Sequence, residues 1–107
     1  ARVECLAQMI GASSECDSDY PAWEYRPESE LRKVMEDTYK EMYKEDPIVL
    51  AIHAGLECGL FLGKRDDLDC VSIGPNLWDV HSFNERLEIA STERTWNYLK
   101  GVLAALK

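Results

Sequence analysis

Apolar residues recur three and four positions apart over residues 30–44. Leu31, Val34, Met35, Thr38, Tyr39 and Met42 share one face there, and charged residues fill the other. That period is the mark of an amphipathic helix. Ser29 stands where an N-cap belongs, and Asp46-Pro47 ends the segment because proline lacks the amide that a helix needs. A shorter pattern of the same kind opens the chain, with Val3, Leu6, Ala7 and Ile10 at helical spacing and Gly11 just past the end. A last helix follows a cap at Ser91 or Thr92, and its stripe of Trp96, Leu99, Val102, Leu103 and Leu106 is expected to be buried.

Between the helices the pattern changes. "IVLAI" (48–52) holds five apolar residues without alternation, as a parallel strand covered on both faces does. "LECGLFLG" (56–63) predicts a short helix, "DCVSI" (69–73) a second strand and "LEI" (87–89) a brief extension. The polar stretch 12–23 predicts an edge strand leading to a turn at Tyr20-Pro21. The order helix, strand, helix, strand, helix makes an α/β chain with one βαβ unit. Two parallel strands are a poor sheet alone, so their edges call for a second copy or for further strands of a longer polypeptide.

The chain has 107 residues, one domain or a piece of one, and 46% of them are hydrophobic. Its net charge is −8, from 20 acidic and 12 basic residues, with no basic run to track phosphates; nucleic acid is not an expected partner. The longest apolar run is too short to cross a bilayer, so a soluble chain without membrane contact is expected. Cys5, Cys16, Cys58 and Cys70 form no CxxC pair and are expected as buried free thiols in the cytoplasm.

Chemistry centres on two histidines. In open α/β sheets ligands bind beyond the carboxyl ends of the strands. His53 follows "IVLAI", and His81 lies seven residues after Gly74. A neutral imidazole on such a loop can bind a metal through one nitrogen while the other donates to an acid, and Glu85 is the candidate acid. An arbitrary loop histidine is usually a surface residue; two imidazoles delivered to one rim shift the balance. Gly55 permits close backbone approach to a ligand, and Glu57 either joins that site or complements the helix dipole. No GxSxG, HExxH, P-loop or HxD pair is present. The chain therefore offers no catalytic residue of its own, and a catalytic zinc needs more donors than it holds. A Cys/His metal-sensing domain would require Cys58 and Cys70 to approach one of the histidines.

"SDYPAWEYRPESELRKV" (18–34), "IHAGLECGLF" (52–61) and "SIGPNLWDVHSFNERLEI" (72–89) together resemble the carboxyl-terminal part of the aminoacyl-histidine dipeptidases, of the di-zinc exopeptidase superfamily. The resemblance implies a carboxyl-terminal fragment of a catalytic α/β domain, α-β-α-β-α with parallel strands, preceded by the tail of a lid domain. Residues 1–23 correspond to the end of the lid or dimerisation domain and 24–107 to the catalytic part, with Pro21 and Pro27 bracketing a hinge. It implies hydrolysis of small dipeptides at a centre of two zinc ions, or other divalent metals, in a cytoplasmic homodimer. His81 corresponds to the last metal ligand, while His53, Gly55 and Glu57 line the substrate pocket. The family's HxD pair, bridging aspartate and Glu-Glu pair match nothing here, which implies an isolated chain without activity. Phe83 replaces the proline usual in "HSPNE". The competing expectation is a non-catalytic oligomerisation or interaction module that keeps only the fold remnant.

Overall fold

The computed structural model describes residues 2–17, 19–52 and 54–107. Among these residues four helices and one short hairpin follow in the order α1 (Arg2–Met9), α2 (Glu30–Tyr43), α3 (Glu57–Leu62), β1 (Leu77–Trp78), β2 (Arg86–Leu87) and α4 (Ile89–Ala105).

The capping chemistry sets most of the helix ends. α1 closes with Gly11 at φ 70°, while Ala12 N–H donates to Ala7 O at 2.9 Å and Gly11 N–H to Gln8 O at 3.1 Å. This paired 6→1 and 5→2 arrangement needs a left-handed residue, which glycine supplies without strain. α2 begins at Ser29, whose Oγ accepts from Arg32 N–H at 3.0 Å. The Ser29 hydroxyl in turn donates to the Asp69 carboxylate at 2.8 and 2.9 Å, and Asp69 Oδ2 also accepts Leu31 N–H at 3.0 Å. A carboxylate from 40 residues downstream thus completes the cap, where a negative charge suits the positive helix end. Lys44, at φ 61°, ends α2 and donates its N–H to Lys40 O.

The core sits where α4 crosses α2. Met35, Tyr98 and Val102 are its buried apolar residues, exposed by 6%, 8% and 3%, with Leu31, Tyr39, Tyr43 and Val71 packed around them. Tyr98 donates its hydroxyl to Met35 O at 2.7 Å, a buried link between the helices. Burial pushes the Tyr98 phenol up, helped by Tyr39, Glu36 and Tyr43, so it stays a neutral donor. The Tyr39 ring meets Tyr98 edge to face at 5.4 Å and 88°, and Tyr43 lies 4.7 Å from Tyr39. Gly101 allows the close crossing: a Cβ there would come within 2.8 Å of Met42 Sδ and 3.2 Å of Thr38 Cγ2.

Three expectations are corrected. Residues 48–52 and 69–73 are not strands, and the only ladder among the described residues is the antiparallel pair Leu77↔Leu87 and Trp78↔Arg86. A strand exists only through hydrogen bonds to a neighbour, and apolar composition does not supply one. The described residues of 12–23 likewise form no edge strand. Finally, α4 starts at Ile89, ahead of the predicted cap, and buries only part of the expected stripe. Of that stripe Val102 is buried and Leu99 half-buried, while Trp96, Leu103 and Leu106 are exposed; Ser91 and Tyr98 complete the inner face. Ser91 caps nothing. Its buried hydroxyl accepts Asn76 N–H at 2.9 Å and donates to Glu88 O at 2.8 Å, tying α4 to the hairpin.

With so few buried residues the chain is open. Its radius of gyration is 18.7 Å, against ~13 Å for a closed domain of 100 residues. Ile48, Leu50 and Ile52 remain largely in water.

Because Ser29 and Asp69 act on one helix end, their losses should not add. Ser29→Ala and Asp69→Ala are each expected to cost about 1 kcal/mol in urea denaturation followed by far-ultraviolet circular dichroism. The double variant should fall short of the sum by about 0.5 kcal/mol or more; strict additivity would show that the two do not share the cap.

Candidate functional site

His81 lies in the loop 79–85 that joins β1 to β2, so it tips an antiparallel hairpin instead of following a parallel strand. Its backbone has φ 63°, and Asp79 two residues earlier has φ 53°. Left-handed backbone at a residue with a Cβ costs ~1–2 kcal/mol, and two such residues in three positions need restraint.

The restraint is local. The Glu85 carboxylate accepts the His81 backbone N–H at 2.8 Å. Ser82 donates its hydroxyl to Asp79 O at 2.6 Å and accepts Asn84 N–H at 3.1 Å, while Arg86 Nη2 meets Asp79 Oδ2 at 2.8 Å. Glu85 therefore reaches the main chain of His81, and no hydrogen bond joins it to the imidazole among the described residues. The His81 side chain is left exposed at the loop tip. Asp79, Ser82 and Arg86 were not singled out by sequence spacing; their roles follow from a loop geometry that spacing does not encode.

The other candidates scatter. His53 lies outside the described residues. Gly55 faces the Tyr20 ring, which a Cβ there would meet at 3.3 Å, and it lines an open cleft of about 970 Å³. That cleft runs between α2, residues 47–52 and residues 68–74, with Tyr25, Tyr39 and Tyr98 among its walls. Glu57 opens α3 and is exposed. Neither Glu57, His81 nor Glu85 belongs to the described lining. The structure thus does not bring His81 and the Gly55 turn into one described pocket.

The hinge region is held from both sides. Arg32 donates to Arg26 O at 2.7 Å and Pro27 O at 2.6 Å and sits over the Tyr25 ring at 4.6 Å. Arg26 reaches Leu68 O at 3.0 Å and also Asp66 O.

Among the described residues no group of three or more His, Cys, Asp or Glu side chains could hold a metal ion. By themselves the described residues do not make a metal site. The cysteines divide unexpectedly. Cys5 and Cys16 are exposed, contrary to the expectation of buried thiols: Cys5 lies on α1, which buries no residue, and Cys16 lies in the polar segment after it. Cys58 and Cys70 are half-buried neighbours. Burial pushes the Cys58 thiol up, and the charge and hydrogen bond of Cys70 push in the same direction.

The comparisons bear on the whole chain. No protein-family model matches it. Over 101 residues it is 35% identical to the cytosol non-specific dipeptidase of Escherichia coli (strain K12), a match covering 94% of this chain and 21% of that protein. The crystal structure of aminoacylhistidine dipeptidase from Vibrio alginolyticus matches with a TM-score of 0.79 and 34% identity, over 97% of this chain and 21% of that one. The chain is similar to the carboxyl-terminal portion of an aminoacyl-histidine dipeptidase. It spans about a fifth of the length of the dipeptidases it matches. No described helix is long and apolar enough to cross a membrane.

The thiols provide a check on this geometry. A raised Cys58 pKa lowers its thiolate fraction at pH 8, and only the thiolate alkylates. Iodoacetamide labelling followed by mass spectrometry should modify Cys5 and Cys16 about 10-fold faster than Cys58. Equal rates would contradict the half-buried pairing with Cys70.

Proposed function

We propose that this chain is the carboxyl-terminal segment of a metallo-dipeptidase that hydrolyses small dipeptides of the aminoacyl-histidine type. The observation that carries the reading is the match to dipeptidases along nearly the full chain, in sequence and in fold together. In this reading residues 1–23 end a lid domain and residues 24–107 belong to the catalytic domain. Residues 48–52 and 69–73 become parallel strands once neighbouring strands supply their hydrogen bonds, which gives the α-β-α-β-α order. The exposed apolar side chains of residues 48–52 support this, since they form a surface that no described residue covers.

His81 then supplies one ligand of a two-metal site, with zinc the proposed metal. A divalent ion in such a site polarises the scissile carbonyl and acidifies a bound water. The task left to this chain is positional: Glu85, Asp79 and Arg86 fix the backbone that carries the imidazole. Backbone strain retained in a short, heavily bonded loop fits a residue selected for where its side chain points. His53, Gly55 and Glu57 form part of the substrate wall. The partners proposed are a small peptide and a second dipeptidase subunit, in the cytoplasm, without nucleic acid or membrane.

A chimera tests this. The matching segment of the Escherichia coli dipeptidase is replaced by this chain, and hydrolysis of an aminoacyl-histidine dipeptide and bound zinc are measured. The chimera should be active, and His81→Ala in it should lose roughly 100-fold or more in kcat together with about one zinc equivalent. Glu85→Gln should weaken zinc about 10-fold with a smaller loss of kcat. The isolated chain should bind no stoichiometric zinc and cleave nothing. A folded but inactive chimera, or full zinc and activity in His81→Ala, would overturn the assignment.

A further inference from the structure

We infer that Cys58 and Cys70 form a redox site, a thiol pair that a hydroperoxide converts reversibly into an intramolecular disulfide. The two stand twelve positions apart and are both half-buried, whereas Cys5 and Cys16 are exposed. Neither has a part in the proposed hydrolysis, so the pair can be tested whether or not that reading stands.

Three features of the fold, all within this chain, bring the thiols together. The chain reverses directly after α3: Gly63 N–H donates to Gly59 O, Lys64 and Arg65 N–H to Phe61 O, and Leu68 N–H to Arg65 O. Arg26 then grips the returning segment at Leu68 O and Asp66 O. Next, residues 68–76 run without helix or turn. Asp69 reaches Ser29 and Leu31 at the start of α2, and Val71 packs on the Met35, Tyr98 and Val102 core. In an extended chain the residue between two such neighbours faces the other way. Cys70 is thus directed off the α2 face. Last, Gly59 seats α3: it is buried, and a Cβ there would come within 2.5 Å of the Pro21 carbonyl oxygen. Cys58, its neighbour, is the thiol that meets Cys70. Burial pushes the Cys58 thiol up, and the charge of Cys70 and a hydrogen bond with it act in the same direction.

The chemistry balances in two steps. Cys58 keeps its proton, so Cys70 takes the oxidant first. Its thiolate attacks the terminal peroxide oxygen: an S–O bond forms and the O–O bond breaks. The alcohol, or water from hydrogen peroxide, leaves with the proton that Cys70 released. The Cys58 sulfur then displaces the hydroxyl of this sulfenic acid, which departs as water with the Cys58 proton as the S–S bond closes. Two thiols lose two electrons and the peroxide gains them. Exchange with a free thiol returns the pair to its reduced form. In a reducing cytoplasm, where the proposed function puts this chain, such a bond is a transient response and not a permanent brace.

Hydrogen peroxide in small excess over the folded 107-residue chain, followed by thiol blocking, tryptic digestion and mass spectrometry, reads the bond directly. Lys64 and Arg65 separate the two cysteines, so the disulfide appears as two linked peptides that dithiothreitol releases. The Cys58–Cys70 pair should be at least about 10-fold more abundant than any pair that includes Cys5 or Cys16. In Cys58→Ser the sulfenic acid at Cys70 should persist and be trapped by dimedone. With Cys5→Ser and Cys16→Ser in place, equilibration with reduced and oxidised glutathione gives a second measure. The disulfide-to-dithiol ratio should be at least about 10-fold higher in the folded chain than in urea. Peroxide that oxidises Cys5 and Cys16 while leaving Cys58 and Cys70 unlinked overturns the inference, as does pairing without preference. An equal ratio in urea shows that the fold does not bring the thiols together, and overturns it too. Should Cys58→Ser disturb the fold by circular dichroism, the linked peptides of the unsubstituted chain decide.

Discussion

The crossing of α4 over α2 is the constraint on which the remaining contacts depend. Tyr98 brings its ring into the Tyr39–Tyr43 pair and its hydroxyl to the Met35 carbonyl. A buried bond of this kind contributes about 1 kcal/mol net, and each aromatic pair adds about 0.5–1.5 kcal/mol beyond its burial. Neither helix has another packed face of comparable quality. With α4 fixed, Ser91 can hold Asn76, and Asn76 in turn bonds Glu88 and sets the hairpin beside the helix start. The loop that carries His81 is thereby anchored to the only closed core among the described residues.

What could be read from the sequence divides along one line: local signals held and relational ones did not. α2 was legible because its cap, period and stop are all written within a few residues of each other. The Asp69 share of that cap was not, since a contact across 40 residues leaves no pattern. α4 was legible as a helix but not in its orientation. Both of its faces are apolar, and ranking by hydrophobicity selects tryptophan and leucine. The structure keeps Val102 of the expected stripe and adds Tyr98, whose phenol satisfies the Met35 carbonyl at the crossing. Residues 48–52 and 69–73 have strand composition, yet strand identity is conferred by a neighbour.

The candidate site shows the same division. His81 stood out by its setting and by resemblance, and the structure puts it on an exposed tip. The i to i+4 relation of His81 and Glu85 was also visible, but its meaning was not. Spacing suggests two side chains acting on one ion or on each other, whereas the carboxylate is bonded to the histidine's main chain. The left-handed backbone that creates this demand could not be foreseen, because nothing in "WDVHSFNE" provides a glycine where φ turns positive. The nearness of Cys58 and Cys70 was equally invisible, as it depends on how the segment after α3 returns.

The two halves of the candidate site differ in how much they need from other polypeptide. Every hydrogen bond that shapes the His81 loop is made between residues 79 and 86, so its geometry is a local property that no distant segment has to induce. The Gly55 turn, by contrast, leans on Tyr20 and opens into a cleft whose walls include the unpaired segments. A ligand must be held to within a fraction of an ångström, whereas a substrate wall can adjust when its occupant arrives. On the proposed reading, the backbone that carries the imidazole is set before a metal centre is assembled, and the pocket is the part completed by assembly. The strain at Asp79 and His81 is tolerable on the same account: it is offset within the loop itself and asks nothing of the small core behind it.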